Sequence, residues 1–314
     1  MRLKLVYNSK MKRKFFCQSC VGFVLLLALA LTVSAREVEF PLLQSISYFP
    51  YSDNSLLKKG ELAGTVEMYY SNIFSFNLER PVFNDFEVFS ATLGVRFGLW
   101  TGGTLELYCR QAVILGGILD RFIEDFHRTF HLPDDNRPEF PRNAVHYRYR
   151  DDFLYTGKQS GTSPLVLAFL KELYQTPVFS LKTRLAVGLP LAKKPGFSSD
   201  KAFLSVGLVI KYQRRRFSLE LSNYLNLFKQ PSWLADEDIR SSLFFSNLEA
   251  NLGRFILGFN FRTSVFKGGD IAHNAYQTYF GYKITRYLEF GFLEDFSPFD
   301  TTPDISVYLR VKFL

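Results

Sequence analysis

The strongest constraint in this chain is an alternation of apolar and polar side chains, renewed in stretch after stretch of about ten residues. Phe89, Ala91, Leu93, Val95 and Phe97 share one phase, with Ser90, Thr92, Gly94 and Arg96 in the other. Phe179–Leu189, Leu204–Tyr212, Phe217–Ser222, Phe255–Ser264, Tyr276–Lys283 and Leu288–Phe292 repeat the pattern. The last stretch sets Ile305, Val307, Leu309, Val311 and Phe313 against Ser306, Tyr308, Arg310 and Lys312. Successive side chains of a strand point to opposite faces, so each stretch has one apolar and one polar side. About ten residues is also the length at which a tilted strand crosses a membrane. A soluble sandwich alternates too. Here, however, the polar phase holds small residues and isolated charges, as a barrel lumen would, and the apolar phase persists to Phe313. The expected fold is therefore all-β, an antiparallel transmembrane β-barrel.

Residues 1–35 read as a cleavable export signal. A basic stretch (Arg2, Lys4, Lys10, Lys12, Arg13, Lys14) precedes the apolar run Val21–Val33, and Val33-Ser34-Ala35 has the small-x-small form of a cleavage site. Six of the 38 Lys and Arg residues and none of the 30 Asp and Glu residues lie there, leaving 32 against 30. The basic balance thus belongs mostly to the signal, and no nucleic-acid partner is expected. Cys109 is the single cysteine beyond the signal, so no internal disulfide framework exists, and it shares its phase with Leu105 and Leu107. The longest later apolar run, Pro164–Leu170, is far too short for a spanning helix. With 34 Phe and 17 Tyr, an exported chain of this kind is expected in an outer membrane.

Connections differ in length. Gln213–Arg215, Gly253 and Thr285–Arg286 are tight, whereas Pro190–Lys201, Leu227–Arg240, Val265–Asn274 and Ser297–Pro303 are long and rich in turn residues. Residues 36–60 form an N-terminal segment and 61–314 the barrel. Thirteen candidate strands begin near Leu62, but a bacterial single-chain barrel has an even number. Twelve is expected, with fourteen the alternative if Glu37–Phe49 adds a strand. The short–long alternation breaks between Thr104 and Tyr174, around a helical insert, residues 116–143. Ile118, Leu119, Phe122, Ile123, Phe126 and Phe130 recur there at helical spacing, Gly116-Gly117 opens the segment and Pro133 closes it.

The insert reads Gly116-Gly117-Ile118-Leu119-Asp120, then Ile123-Glu124-x-Phe126-His127, Phe130-x-Leu132-Pro133, Arg137 and Pro141-Arg142-Asn143. With Pro303-Asp304-Ile305 leading into the last strand, it resembles a bacterial family known as a domain of unknown function. Its members are exported proteins held to be outer-membrane barrels. The resemblance spans most of the chain from about residue 40 and implies location and fold, not an activity.

Several groups are candidates for function. Asp120, Glu124, His127 and His131 form a polar stripe along the insert helix. Two histidines four apart with a carboxylate one turn back can hold a divalent metal. Without a third firm ligand, no metal or other cofactor is expected, and docking of the helix onto lumen charges or the barrel rim is the better reading. Arg137 and Arg142, flanking Pro138 and Pro141, could meet lipopolysaccharide phosphate. Strand phase directs Arg96, Arg110, Lys182, Arg184, Lys211, Arg262, Lys283, Arg310 and Lys312 inward, with Glu106, Glu220 and Glu289. Such a wall either favours anionic solutes in a pore or pairs across strands to fill a closed barrel. No spacing marks a Ser–His pair, although His146 and His273 are present, so an outer-membrane lipid-modifying enzyme is the least favoured class. The preferred expectation is a pore or transport-type barrel for a small molecule, with helix 117–132 as plug or cap. A closed structural or interaction barrel is the alternative. Membrane lipid, lipopolysaccharide and the barrel-assembly machinery are the expected partners.

Overall fold

The computed structural model describes residues 54–77, 82–131, 141–149, 153–228, 231–233, 240–266, 274–295 and 305–313. The export signal, the Glu37–Phe49 alternative, Arg137, His273 and the Ser297–Pro303 loop lie outside these residues, as does the side chain of Arg262.

The chain opens with β1 (Leu62–Asn77), β2 (Val82–Trp100) and β3 (Gly103–Leu115), followed by α1 (Asp120–Phe130). Three short strands come next: β4 (Tyr147–Tyr149), β5 (Phe153–Tyr155) and β6 (Gln159–Thr162). Then follow β7 (Leu165–Gln175), β8 (Phe179–Leu189), β9 (Phe203–Arg214), β10 (Phe217–Phe228) and β11 (Arg240–Leu252). The last four are β12 (Phe255–Phe266), β13 (Asn274–Lys283), β14 (Leu288–Asp295) and β15 (Ile305–Phe313). Each long strand pairs antiparallel with the next, and β15 returns to β1, with Met68 opposite Leu309, to close the ring.

β6 and β7 share one place in that ring. β3 pairs with β6 along Gln111–Ile114 and with β7 along Gly103–Tyr108. Between them lies Ser163-Pro164. Pro164 has no N–H for the ladder, while the Ser163 amide donates to Arg110 O at 2.8 Å and its hydroxyl accepts from the Arg110 amide at 3.0 Å. One interrupted strand therefore accounts for the odd candidate, and the closed ring has twelve strands.

The two phases separate as polar inside and apolar outside. Thr92, Arg96, Glu106, Arg110, Lys182 and Arg184 are buried, whereas Leu93, Phe97, Leu107, Leu185, Leu204 and Val206 are exposed. A soluble sandwich would bury the apolar side. Exposed leucines over buried arginines are the arrangement of a barrel whose solvent is lipid.

The tight turns at 101–102, 176–178, 215–216, 253–254 and 284–287 lie at the same end as the start of β1 and the close of β15. The longer connections lie at the other end. Inside that loop end, Phe86, Tyr147, Phe197, Phe203, Tyr224 and Phe245 belong to one buried cluster. The rings of Tyr147 and Phe197 meet edge-on at 5.8 Å, and Tyr147 Oη donates to Gly196 O at 2.6 Å.

Candidate functional site

The lumen at the turn end is built from strand residues and from a piece of chain outside the strand pattern. Asn54–Gly60 does not lead away from the barrel. Gly60 N donates to Gly98 O at 2.7 Å, Gly98 N donates to Glu61 O at 2.9 Å, and Leu57 N donates to Thr104 Oγ1 at 2.9 Å. Gly98 lies in the inward phase of β2, and a Cβ there would stand 1.9 Å from Lys58 O. The missing side chain is what lets the segment cross that wall.

From there the segment spans the lumen. Arg96 on β2 donates through Nη1 to Ser55 Oγ at 3.1 Å and through Nη2 to Ser55 O. Lys182 on β8 donates to Asn54 O, and Asn54 Nδ2 donates to Glu220 Oε1 on β10 at 2.5 Å. β2 and β10 stand five places apart in the ring of twelve, nearly opposite one another. Two consecutive residues therefore tie facing walls. This strap and the wall beside it border an open cavity of about 570 Å³ at the turn end, lined by Leu57, Lys58, Glu172, Lys182, Lys211 and Gln213, among others.

Around the strap the inward charges form two buried groups. Glu106 receives Arg96 Nε at 3.0 Å and Arg184 Nη2 at 2.6 Å. The long side chains meet over Ala168, which is opposite Glu106 on the intervening strand. On the other side Arg310 Nε bonds Glu67 at 2.5 Å and Arg310 Nη1 lies 3.9 Å from Glu289, which also accepts from Tyr308 Oη at 2.9 Å. Arg110 Nε donates to Thr92 Oγ1 at 2.7 Å, and Lys283 Nζ donates to Asn251 Oδ1 at 2.6 Å. Lys211 faces Glu220 across the β9–β10 ladder, and its side chain forms no hydrogen bond or ion pair among the described residues. Arg96, Arg110, Lys182, Arg184, Glu220 and Arg310 are buried on the inward side, while Lys312 is exposed near the turn end.

The insert helix goes elsewhere. Asp120 Oδ1 accepts from Asn72 Nδ2 at 3.0 Å, Asp120 Oδ2 accepts from the Asn143 amide at 2.6 Å, and Glu87 Oε1 accepts from the Leu119 amide. Asn72 and Glu87 are directly opposed in the β1–β2 ladder, in the same phase as exposed Phe89 and Leu93. That is the outward phase. The helix is docked on the outer side of the wall at the loop end. Gly117 permits this: its φ is +65°, and a Cβ would collide with the Glu87 carboxylate. Glu124 is buried and takes Arg142 through two bonds, 3.0 and 2.5 Å.

The polar stripe thus holds the insert together and fastens it to the rim. Asp120 and Glu124 are used up in this way. His127 is half-buried, and His131 ends the helix in the left-handed region at φ 55°. Among the described residues no group of three or more His, Cys, Asp or Glu is placed to share a metal. His146 joins the rim by a backbone bridge to Asp85. The residues that sequence reasoning missed are Asn54 and Ser55, which lie in no periodic stretch. The nearest signal was the inward-phase Gly98.

A family model described as "Protein of unknown function (DUF3187)" matches residues 36–266. In fold the chain is similar to the COG4313 outer membrane channel from Pseudomonas putida F1, with a TM-score of 0.51 at 12% identity, covering 84% of this chain and 99% of that one. It is also similar to the KdgM porin, with TM-score 0.46 and 7% identity over 80% of this chain and 99% of the other. Against the translocator domain of the autotransporter NalP from Neisseria meningitidis the TM-score is 0.45, at 10% identity over 82% and 89%. No curated protein matches in sequence.

Proposed function

The chain belongs to the DUF3187 family, and on that footing we propose that it is an outer-membrane channel for small anionic solutes, with Asn54–Gly60 as its inner constriction. One observation carries the reading: Arg96 and Lys182, buried cations of the lumen wall, hold carbonyl oxygens of Ser55 and Asn54. Strap oxygens stand where the oxygens of a carboxylate or phosphate would bind, and charge-assisted bonds to an anion are about twice as strong as those to a neutral carbonyl. Lys58 and Lys211 line the adjoining cavity and extend the same preference towards the turn end. The COG4313 protein, similar in fold, is itself an outer membrane channel, and the exposed apolar belt suits an outer membrane. Export would proceed through the basic–apolar leader, and insertion through the barrel-assembly machinery.

The buried aromatic cluster at the loop end favours a second reading, a closed barrel that serves structure or interaction. Planar-bilayer conductance separates the two. The refolded chain from Arg36 should pass little current, and the same chain lacking residues 36–58 should pass more, with anions preferred. Lys182→Glu with Lys211→Glu should reduce or reverse that preference. Deleting the rim insert, residues 116–143, should change current far less than deleting the strap. Silence from every variant, with the barrel shown folded, would overturn the channel and leave the closed barrel standing.

A further inference from the structure

We infer that α1 is an interfacial helix: it lies at the headgroup–acyl boundary of the lipid leaflet that surrounds the loop end of the barrel. The helix has three sides rather than two. Asp120, Ile123 and Glu124 are buried on one side, where Asp120 meets Asn72 of the wall and Glu124 meets Arg142. At 100° per residue, Leu119, Phe122 and Phe126 fall on one flank, and Arg121, Asp125 and Arg128 on the other. Phe122 and Phe126 stack at 6.2 Å. On the charged flank, Asp125 bonds Arg128 at 2.9 Å and lies 4.0 Å from Arg121.

A helix beside a globular core buries its apolar stripe and wets its polar one. Here the docked side is the polar one, and Ile118 and Phe122 are left 77% and 53% exposed. Such exposure is unfavourable in water. It is expected where the surroundings are apolar on one flank and ionic on the other, which is the setting of helices lying in a membrane plane. The occupant follows from position. α1 is fixed to the outward phase of β1 and β2, the side whose Phe89, Leu93 and Phe97 form the exposed apolar belt. The lipid that covers that belt continues onto the Leu119–Phe122–Phe126 flank. The Arg121 and Arg128 side chains, 81% and 70% exposed, then face the phosphate layer. No part of this uses the lumen, so it stands or falls independently of the channel.

The test is lipid-depth quenching. The Phe122→Trp variant of the whole mature chain is placed in phosphatidylcholine vesicles whose acyl chains carry bromine just below the headgroups. Fluorescence added by the new indole, over the parent's Trp100 and Trp233, should fall to about half or less, while aqueous iodide leaves it nearly unchanged. Bromine near the bilayer centre should quench it less. Strong iodide quenching without bromine quenching would place the flank in water and overturn the inference. Shielding from both quenchers, with cross-linking between copies of the Phe122→Cys variant, would also overturn it, because the flank would then be covered by a second copy. Should Phe122→Trp disturb packing, Ile118→Trp provides the same readout one turn earlier.

Discussion

Asn72 Nδ2 donates to Asp120 Oδ1 at 3.0 Å, from the outward face of β1 to the first turn of α1. This one bond shows why the insert is a rim element. Asn72 is fully buried although its strand phase points away from the lumen, because the helix covers it. Replacing Asp120 by Ala leaves both the Asn72 amide and the Asn143 N–H without an acceptor, at about 1–3 kcal/mol for each donor that stays buried. Hydrogen exchange should rise across residues 118–131, while the barrel ladders keep their protection. Equal loss of protection in β1 and β2 would show that the helix and wall are one cooperative unit.

Glu106 joins Arg96 and Arg184, and all three are buried. Glu106→Ala would take from two buried cations the carboxylate they share, a change that costs about 3–5 kcal/mol when a buried pair is broken. Glu106→Gln keeps an acceptor and should lose less. Urea unfolding of the refolded barrel measures both, and an equal loss would argue that charge contributes nothing there.

Two positive-φ glycines should respond differently to alanine. Gly253, at φ 70° in a tight turn, has open space around its missing Cβ, so Gly253→Ala should cost only the left-handed penalty of about 1–2 kcal/mol. Gly117→Ala carries that penalty and also drives a methyl into Glu87. Its loss should be larger, and it should release α1 from the rim. A Gly117→Ala protein with unchanged exchange across 118–131 would contradict the docking geometry.

Asp200 ties two long connections by accepting from the Ser232 amide at 2.8 Å, with Lys201 Nζ at 3.1 Å. Partial burial pushes its carboxyl up, but the Ser232 hydrogen bonds and Lys201 outweigh this and hold it at about 2, below the ordinary 3.8. A depressed carboxylate stabilises the folded state fully above its unfolded value. That contribution falls away as pH drops through 3.8 towards about 2. Titration of the Asp200 carboxyl resonance should show the low midpoint, and Asp200→Asn should flatten the stability profile over that window. A midpoint near 3.8 would mean that the tie is not made in solution.

The twelve strands and their faces were legible because period-2 alternation is a local property. A strand has two sides, and the residue types declare which one meets lipid. The helix and its polar stripe were legible for the same reason, at a different period. Local patterns cannot say which wall a helix rests on. Asp120 and Glu124 suited a lumen plug as well as a rim clasp until the β1–β2 register put Asn72 and Glu87 in the outward phase. The odd strand count likewise depended on whether Ser163-Pro164 ends a strand or merely interrupts one, and only the shared partner β3 decides that.

By itself, then, the sequence determined the barrel class, the polar lining and the existence of the insert, because each follows from side-chain spacing along the chain. The tertiary structure alone decided that Asn54 and Ser55 cross the lumen and that α1 lies outside it. The strap's bonds to Arg96, Lys182 and Glu220 join residues 41, 128 and 166 positions apart. Contacts so remote leave no period in the chain, since they exist only once the ring has closed and brought β2, β8 and β10 around a common interior.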